Sequence, residues 1–124
     1  MKSVKKIQKI LEEITDVVEG VEECSIVTSD GFNIVSSSSE LEKGGINGDL
    51  ISTVMRSAEK ITNFLVNLKS KELILSFRKK EIVIIALNDH IFFVYLANKD
   101  SKRTLILLDL KQKIQSIKNL IKEY

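Results

Sequence analysis

The sequence predicts a chain of the broad α/β class, specifically an α+β sandwich: a five-stranded antiparallel sheet with helices on both faces, in the order α-β-β-α-β-β-β-α. Three observations carry this reading. Three long segments, Val4–Val18, Ile51–Leu68 and Leu107–Ile121, repeat apolar residues at helical steps. Five short runs between them have strand patterning, and within the group of two and the group of three the strands are joined by links too short for a crossover helix. Two of those runs, Ile82–Leu87 and Ile91–Val94, are apolar at consecutive positions, which suits strands covered on both faces.

The first helix is expected from about Ser3 to Glu19. Val4, Ile7, Leu11, Ile14 and Val18 fall on one stripe while Lys5, Lys6, Lys9, Glu12, Glu13 and Asp16 fall elsewhere. Ser3 is a candidate N-cap, and Gly20 stands where a left-handed residue ends a helix. Two strands follow, Glu22–Ser29 and Phe32–Val35, joined by the hairpin chemistry of Ser29-Asp30-Gly31. From Ser36 to Gly48 the chain has three glycines and no periodicity, so a loop of about a dozen residues is expected.

The second helix starts near Asp49, with Asn47 or Asp49 as cap, and runs to about Lys69. Its expected core stripe is Ile51, Val54, Ala58, Ile61, Leu65 and Leu68. Three strands follow in close succession: Glu72–Arg78, Ile82–Leu87 and Ile91–Ala97. The first alternates Leu73, Leu75 and Phe77 with Glu72, Ile74, Ser76 and Arg78, the pattern of a strand buried mainly on one face, often at an edge, while the other two read as central. Lys79-Lys80 and Asn88-Asp89 serve as turns. The third helix spans about Lys102 to Lys122 with Ser101 as cap and Leu107, Leu110, Ile114, Ile117 and Ile121 in register.

Composition sets the functional bounds. The chain has 124 residues, 44% hydrophobic and 29% charged, the balance of one globular domain spanning residues 1–124. Nineteen Lys and Arg oppose 17 Asp and Glu, interspersed, so nothing electrostatic favours nucleic acid. Cys24 is the single cysteine, which excludes an internal disulfide and a multi-cysteine zinc site and suits a reducing cytoplasm. The Lys-rich start leads into an amphipathic pattern and not into the apolar core of a signal peptide. No apolar run approaches the roughly 20 residues that cross a bilayer, so no integral membrane segment is expected.

The residues that could carry chemistry do not converge. His90, the only histidine, sits beside a turn, with no second histidine for a metal cluster. Cys24 begins a strand and reads as a structural thiol. Gly44-Gly45-Ile46-Asn47-Gly48 precedes a helix, but no Gly-Lys-Ser/Thr follows and Asp49 puts negative charge where a phosphate would sit. Ser36–Ser39 is a serine run without recognisable modification context. Lys69, Lys71, Arg78, Lys79 and Lys80 form a basic zone that protects an edge strand or steers an acidic partner. No catalytic residue, cofactor or metal is expected, and no enzymatic activity.

The element order, the helix ending in Gly20-Val21, the strand Cys24–Ser29 and the Ser29-Asp30-Gly31 hairpin followed by Phe32 and Ile34 together resemble the roadblock/dynein light chain family. The resemblance covers nearly the whole chain. It implies a non-enzymatic homo- or heterodimer that serves as a platform for Ras-like small GTPases or as a motor-associated adaptor. It also implies a dimer in which second helices and third strands meet across a two-fold axis. On this sequence that interface falls on Met55, Glu59, Thr62 and Val66 of the second helix and Glu72, Ile74, Ser76 and Arg78 of the third strand.

The residues lend support of their own. The third strand is an edge that needs a partner, and Met55, Thr62 and Val66 lie beside the expected core stripe where a neighbouring helix could cover them. The alternative is that Met55 and Val66 fill the margin of the chain's own core. The leading expectation is a homodimeric regulator or scaffold for a Ras-like GTPase, with Arg56, Arg78 and Arg103 the only arginines available to act as a finger. The rival is a light-chain-like adaptor that heterodimerises and docks a larger protein.

Overall fold

The computed structural model describes residues 2–37, 48–66, 72–76 and 78–122, and within the second helix it describes side chains at 48–57 and 60. The first helix, α1 (Lys2–Val17), buries Ile7, Leu11 and Ile14, with Val18 just beyond its end. Lys5, Lys6, Lys9, Glu12, Glu13 and Asp16 are exposed. Each buried isoleucine or leucine contributes about 1.5–3 kcal/mol over leaving it in water. The helix starts one residue earlier than the sequence suggests, so Ser3 lies inside it and not at the cap.

Gly20 ends the turn after α1 with φ +96, and a Cβ there would collide with the side chain of Ser101. Its carbonyl accepts from Asn98 N–H at 3.0 Å, tying the exit of α1 to the last strand. The first hairpin joins β1 (Val21–Thr28) to β2 (Asn33–Ser36). In its turn Thr28 N–H donates to Phe32 C=O at 2.9 Å, and Phe32 N–H donates to Thr28 Oγ1 at 3.1 Å. Gly31 supplies the positive φ the turn requires, +97.

The loop expected between Ser36 and Gly48 falls largely outside the described residues, as do the Gly44-Gly45 pair and the candidate cap Asn47. The second helix, α2, is described over Gly48–Val66. It buries Ile51, Ser52 and Met55 and half-buries Val54. The expected stripe began Ile51, Val54. The observed one is turned so that the i, i+4 pair Ile51 and Met55 points at the sheet. Apolar residues occupy more than half of this helix's circumference, so the choice among them is made by the surface beneath. Ala58, Ile61, Leu65 and Leu68 of the expected stripe lie outside the described side chains, as does the expected end near Lys69.

Strands β3 (Glu72–Ser76), β4 (Lys80–Ala86) and β5 (Ile91–Asn98) complete an antiparallel sheet of order β2-β1-β5-β4-β3. β5 is the middle strand and β3 an edge. Asn88 closes the β4–β5 turn by accepting on Oδ1 from His90 N–H at 2.7 Å and Ile91 N–H at 2.8 Å. The third helix, α3 (Arg103–Ile121), is preceded by Lys102 in extended conformation with no side-chain capping bond. Ser101 is therefore not the cap; it packs on Gly20 instead. α3 buries Ile106, Leu110, Ile117 and Ile121, while Leu107 and Ile114 of the expected stripe are half-buried at its margin.

Strand alternation divides the core between the two faces of the sheet. On one face α1 and α3 cover Cys24, Ile26, Val83, Phe93, Tyr95 and Ala97. On the other, Ile51 and Met55 of α2 lie with Val27, Ile84, Phe92 and Val94. Both faces of β4 and β5 are thus covered, which accounts for their unbroken apolar runs.

Candidate partner-binding site

Among the described residues β3 forms the outer edge of the sheet and pairs only with β4, from Glu72 opposite Ile85 to Ser76 opposite Glu81. Its outer backbone groups lie along a free edge, which needs a partner or protection. Glu72 and Ser76 are exposed at the two ends of the strand and Arg78 is exposed just beyond it. Ile74, between them, is half-buried and packs against the α1/α3 core. Three of the eight residues assigned to an interface, Glu72, Ile74 and Ser76, are therefore brought together on one strand, on the α1/α3 side of the sheet by their register, and Arg78 stands beyond its end.

Met55 is placed differently. It is 1% exposed and packs with Ile84, Phe92 and Val94, so within this chain it is a core residue and not a surface awaiting a second helix. The alternative reading, a filler of the chain's own core, describes it. Glu59, Thr62 and Val66 lie in the described span of α2, but their side chains are outside the described residues. So are Lys69 and Lys71 of the basic zone. Its remaining members, Arg78, Lys79 and Lys80, are exposed, and Lys80 pairs with Glu22 at 3.1 Å. Two exposed side chains at that distance contribute little to stability.

Of the three arginines, Arg56 on α2 and Arg78 beside β3 are exposed. Arg103 is committed: its Nε and a terminal nitrogen donate to the two oxygens of Glu81, each at 2.9 Å. Those hydrogen bonds hold the Glu81 carboxyl below the ordinary carboxylate range against the opposing effect of burial. The sequence reading missed this pair, whose only signal was an acid heading an apolar strand with an arginine about one strand and one turn later.

The Cys24 thiol is fully buried, with its Sγ 3.5 Å from the Leu11 carbonyl, and burial pushes it up to about 12. A thiol so protonated is a poor nucleophile. His90 is exposed in the β4–β5 turn. Among the described residues no three of His, Cys, Asp and Glu are grouped so as to hold a metal ion. No described helix is long and apolar enough to cross a membrane. What the arrangement does offer is surface. Besides the β3 edge, large apolar side chains are exposed at Phe32 and Leu50, beside the hairpin tip, and at Val17, Leu105 and Leu108 on the helical side. Gly31 and Gly48 let the hairpin tip and the start of α2 approach each other, because a Cβ on Gly48 would strike the Gly31 carbonyl.

Solved structures share this architecture. An MglB in a tetrameric arrangement superposes with a TM-score of 0.82 at 11% identity, covering 99% of this chain and 93% of that one. The gliding protein MglB of Thermus thermophilus gives 0.78 at 12% identity over 100% and 94% of the two chains. A Roadblock/LC7 domain from Streptomyces avermitilis gives 0.76 at 7% identity over 93% and 97%. At such identities the likeness shows the fold alone. No curated protein matches the chain in sequence. The Roadblock/LC7 domain model matches residues 6–97, from α1 through β5, and on that match the chain belongs to the Roadblock/LC7 family.

Proposed function

We propose that this chain is a non-catalytic homodimeric scaffold of the cytoplasm that binds a Ras-like small GTPase. The observation that carries the reading is β3, whose outer side has no partner strand among the described residues of a chain of this family, with α2 on the adjoining sheet face. Two copies joined edge to edge through β3 would merge their sheets and satisfy the outer backbone groups of both. The tetrameric arrangement of the similar MglB supports an assembly of some kind.

The scaffold acts by position. It favours one arrangement of the GTPase switch loops by binding that arrangement more tightly, and supplies no acid, base or nucleophile. Arg103 is held by Glu81, which leaves Arg56 and Arg78 as the arginines able to reach a bound nucleotide.

The test is the absolute mass by light scattering behind size exclusion, followed by binding of a Ras-like GTPase from the same organism loaded with a GTP analogue or with GDP. A mass twice 14.0 kDa, reduced to 14.0 kDa by Ser76→Pro, together with nucleotide-dependent binding, is the expected result. A persistent monomer that pairs with a different roadblock-type chain and docks a larger protein would replace this reading with the heterodimeric adaptor.

A further inference from the structure

Between the turn after α1 and the first half of α3 lies an open groove of about 450 Å³, lined by Glu19, the link 100–102 and Leu105, Ile106 and Asp109 of α3, that the scaffold reading does not use. Two contacts fix its geometry. At one end Gly20 packs on Ser101 and Ile106, and at the other Lys113 Nζ meets Glu13 Oε2 at 3.3 Å. The helices therefore run antiparallel between these points. One turn on from Glu13 stands Val17, and one and two turns back from Lys113 stand Asp109 and Leu105, so these side chains share the outward side of the seam. Val17 is 73% exposed, Leu105 55% and Leu108 67%, three large apolar side chains of α1 and α3 left in water, of which Leu105 lines the groove.

The rim is acidic. Glu19, Asp100 and Asp109 line the groove against a single ammonium, Lys102, although the chain as a whole carries a formal charge of +2. An identical copy meeting this face across a two-fold axis would bring the same excess of negative charge to it, which opposes a contact with itself. The complement is cationic and apolar. We propose that the groove between the turn after α1 and the first half of α3 docks a cationic amphipathic helix of a partner protein. Leucine-like side chains one turn apart rest on Leu105 in the groove and reach the exposed Val17 and Leu108 that flank it, and lysine or arginine on its flanks faces Glu19, Asp100 and Asp109. The site is on the sheet face opposite α2, so it is open whether or not β3 and α2 are engaged, and it stands if the GTPase reading fails.

The test titrates the full chain into a fluorescein-labelled peptide of Leu and Lys in amphipathic helical register, beside a Leu/Glu peptide of the same pattern, with amide chemical shifts mapped in parallel. The expected result is salt-sensitive binding of the Leu/Lys peptide alone and shifts confined to residues 16–19 and 100–109. Leu105→Ser and Asp109→Lys should each weaken binding by about tenfold or more. Both positions are exposed, and unchanged thermal melts show that each variant is folded; Leu108→Ser repeats the test independently. Equal affinity for the variants, equal binding of the Leu/Glu peptide, or shifts centred on α2 and β3 overturns the proposal. So does a concentration-dependent mass lost in Leu105→Ser, which would make the occupant a second copy.

Discussion

Arg103 and Glu81 face each other as a fork, guanidinium to carboxylate, through two contacts of 2.9 Å that join the first turn of α3 to the start of β4. Glu81 is 4% exposed, whereas the Arg103 side chain keeps 39% of its surface in water. The pair sits at the edge of the α1/α3 core, where a carboxylate without its cation would be a buried, uncompensated charge.

Acid should therefore loosen the chain through Glu81. Its carboxyl titrates lower folded than unfolded, chiefly because Arg103 hydrogen-bonds the charged form. The stabilisation is fully present above the unfolded value of about 4.3 and is lost as pH falls through the lowered folded value. Thermal melts from neutral pH downward should show that loss in the native chain and much less of it in Glu81→Gln. Arg103→Met should move acid unfolding to higher pH.

Alkali should destabilise through two other groups. Burial pushes the Cys24 thiol and the Tyr95 phenol each up to about 12. Unfolded, they ionise near 8.5 and 10, so the folded state loses stability as pH rises from those values towards 12. Cys24→Ala should remove the earlier part of the decline, read by urea midpoints between pH 8 and 10. At pH 8 the native thiol should react with a disulfide reagent no faster than the chain opens.

The Tyr95 hydroxyl is fully buried and has no hydrogen-bond partner among the described residues. Tyr95→Phe removes that group and leaves the ring against Phe93, with centroids 6.3 Å apart. Stability should stay within about 1 kcal/mol of the native value or rise, because an unpaired buried hydroxyl opposes folding. A large loss in chemical denaturation would mean that the hydroxyl is paired in solution.

Gly20→Ala places a Cβ at φ +96 and into the side chain of Ser101. It should cost about 1–3 kcal/mol in urea titration. Adding Ser101→Gly should recover the part due to the collision and leave the part due to the backbone angle.

Met55→Ala should cost about 2–5 kcal/mol, the range for a cavity beneath a packed helix. Arg56→Ala, next to it and exposed, should change stability by less than about 0.5 kcal/mol. A Met55→Ala chain of unchanged stability and halved mass would instead return Met55 to the interface.

Much of the architecture was legible because burial and periodicity are local properties. The stripe Ile7, Leu11, Ile14, Val18 has a single polar-free side, and it is the side that is buried. Ile82–Leu87 could not be a one-sided strand, and both of its faces are covered. α2 was less legible for the opposite reason. With Leu50, Ile51, Val54, Met55, Ala58, Ile61, Phe64 and Val66 spread in sequence register over more than half a turn, several rotations bury a similar amount of apolar surface. Ser101 and Lys102 show the same limit at a cap, since a serine before a helix invites a capping bond that here gives way to packing on Gly20.

The sequence by itself determined the class, the order of the elements, the edge character of β3 and, through Gly20 and Gly31, where α1 and the first hairpin turn. These follow from residue type and spacing along a few neighbours. Only the tertiary structure decided that Met55 is core, that Arg103 is bound to Glu81, 22 residues away in the chain, and that Glu19 joins Leu105 and Asp109 along one acidic groove. Each of those joins residues far apart in sequence. Their contact depends on the rotation of a helix over a sheet, which the apolar pattern constrains but does not fix.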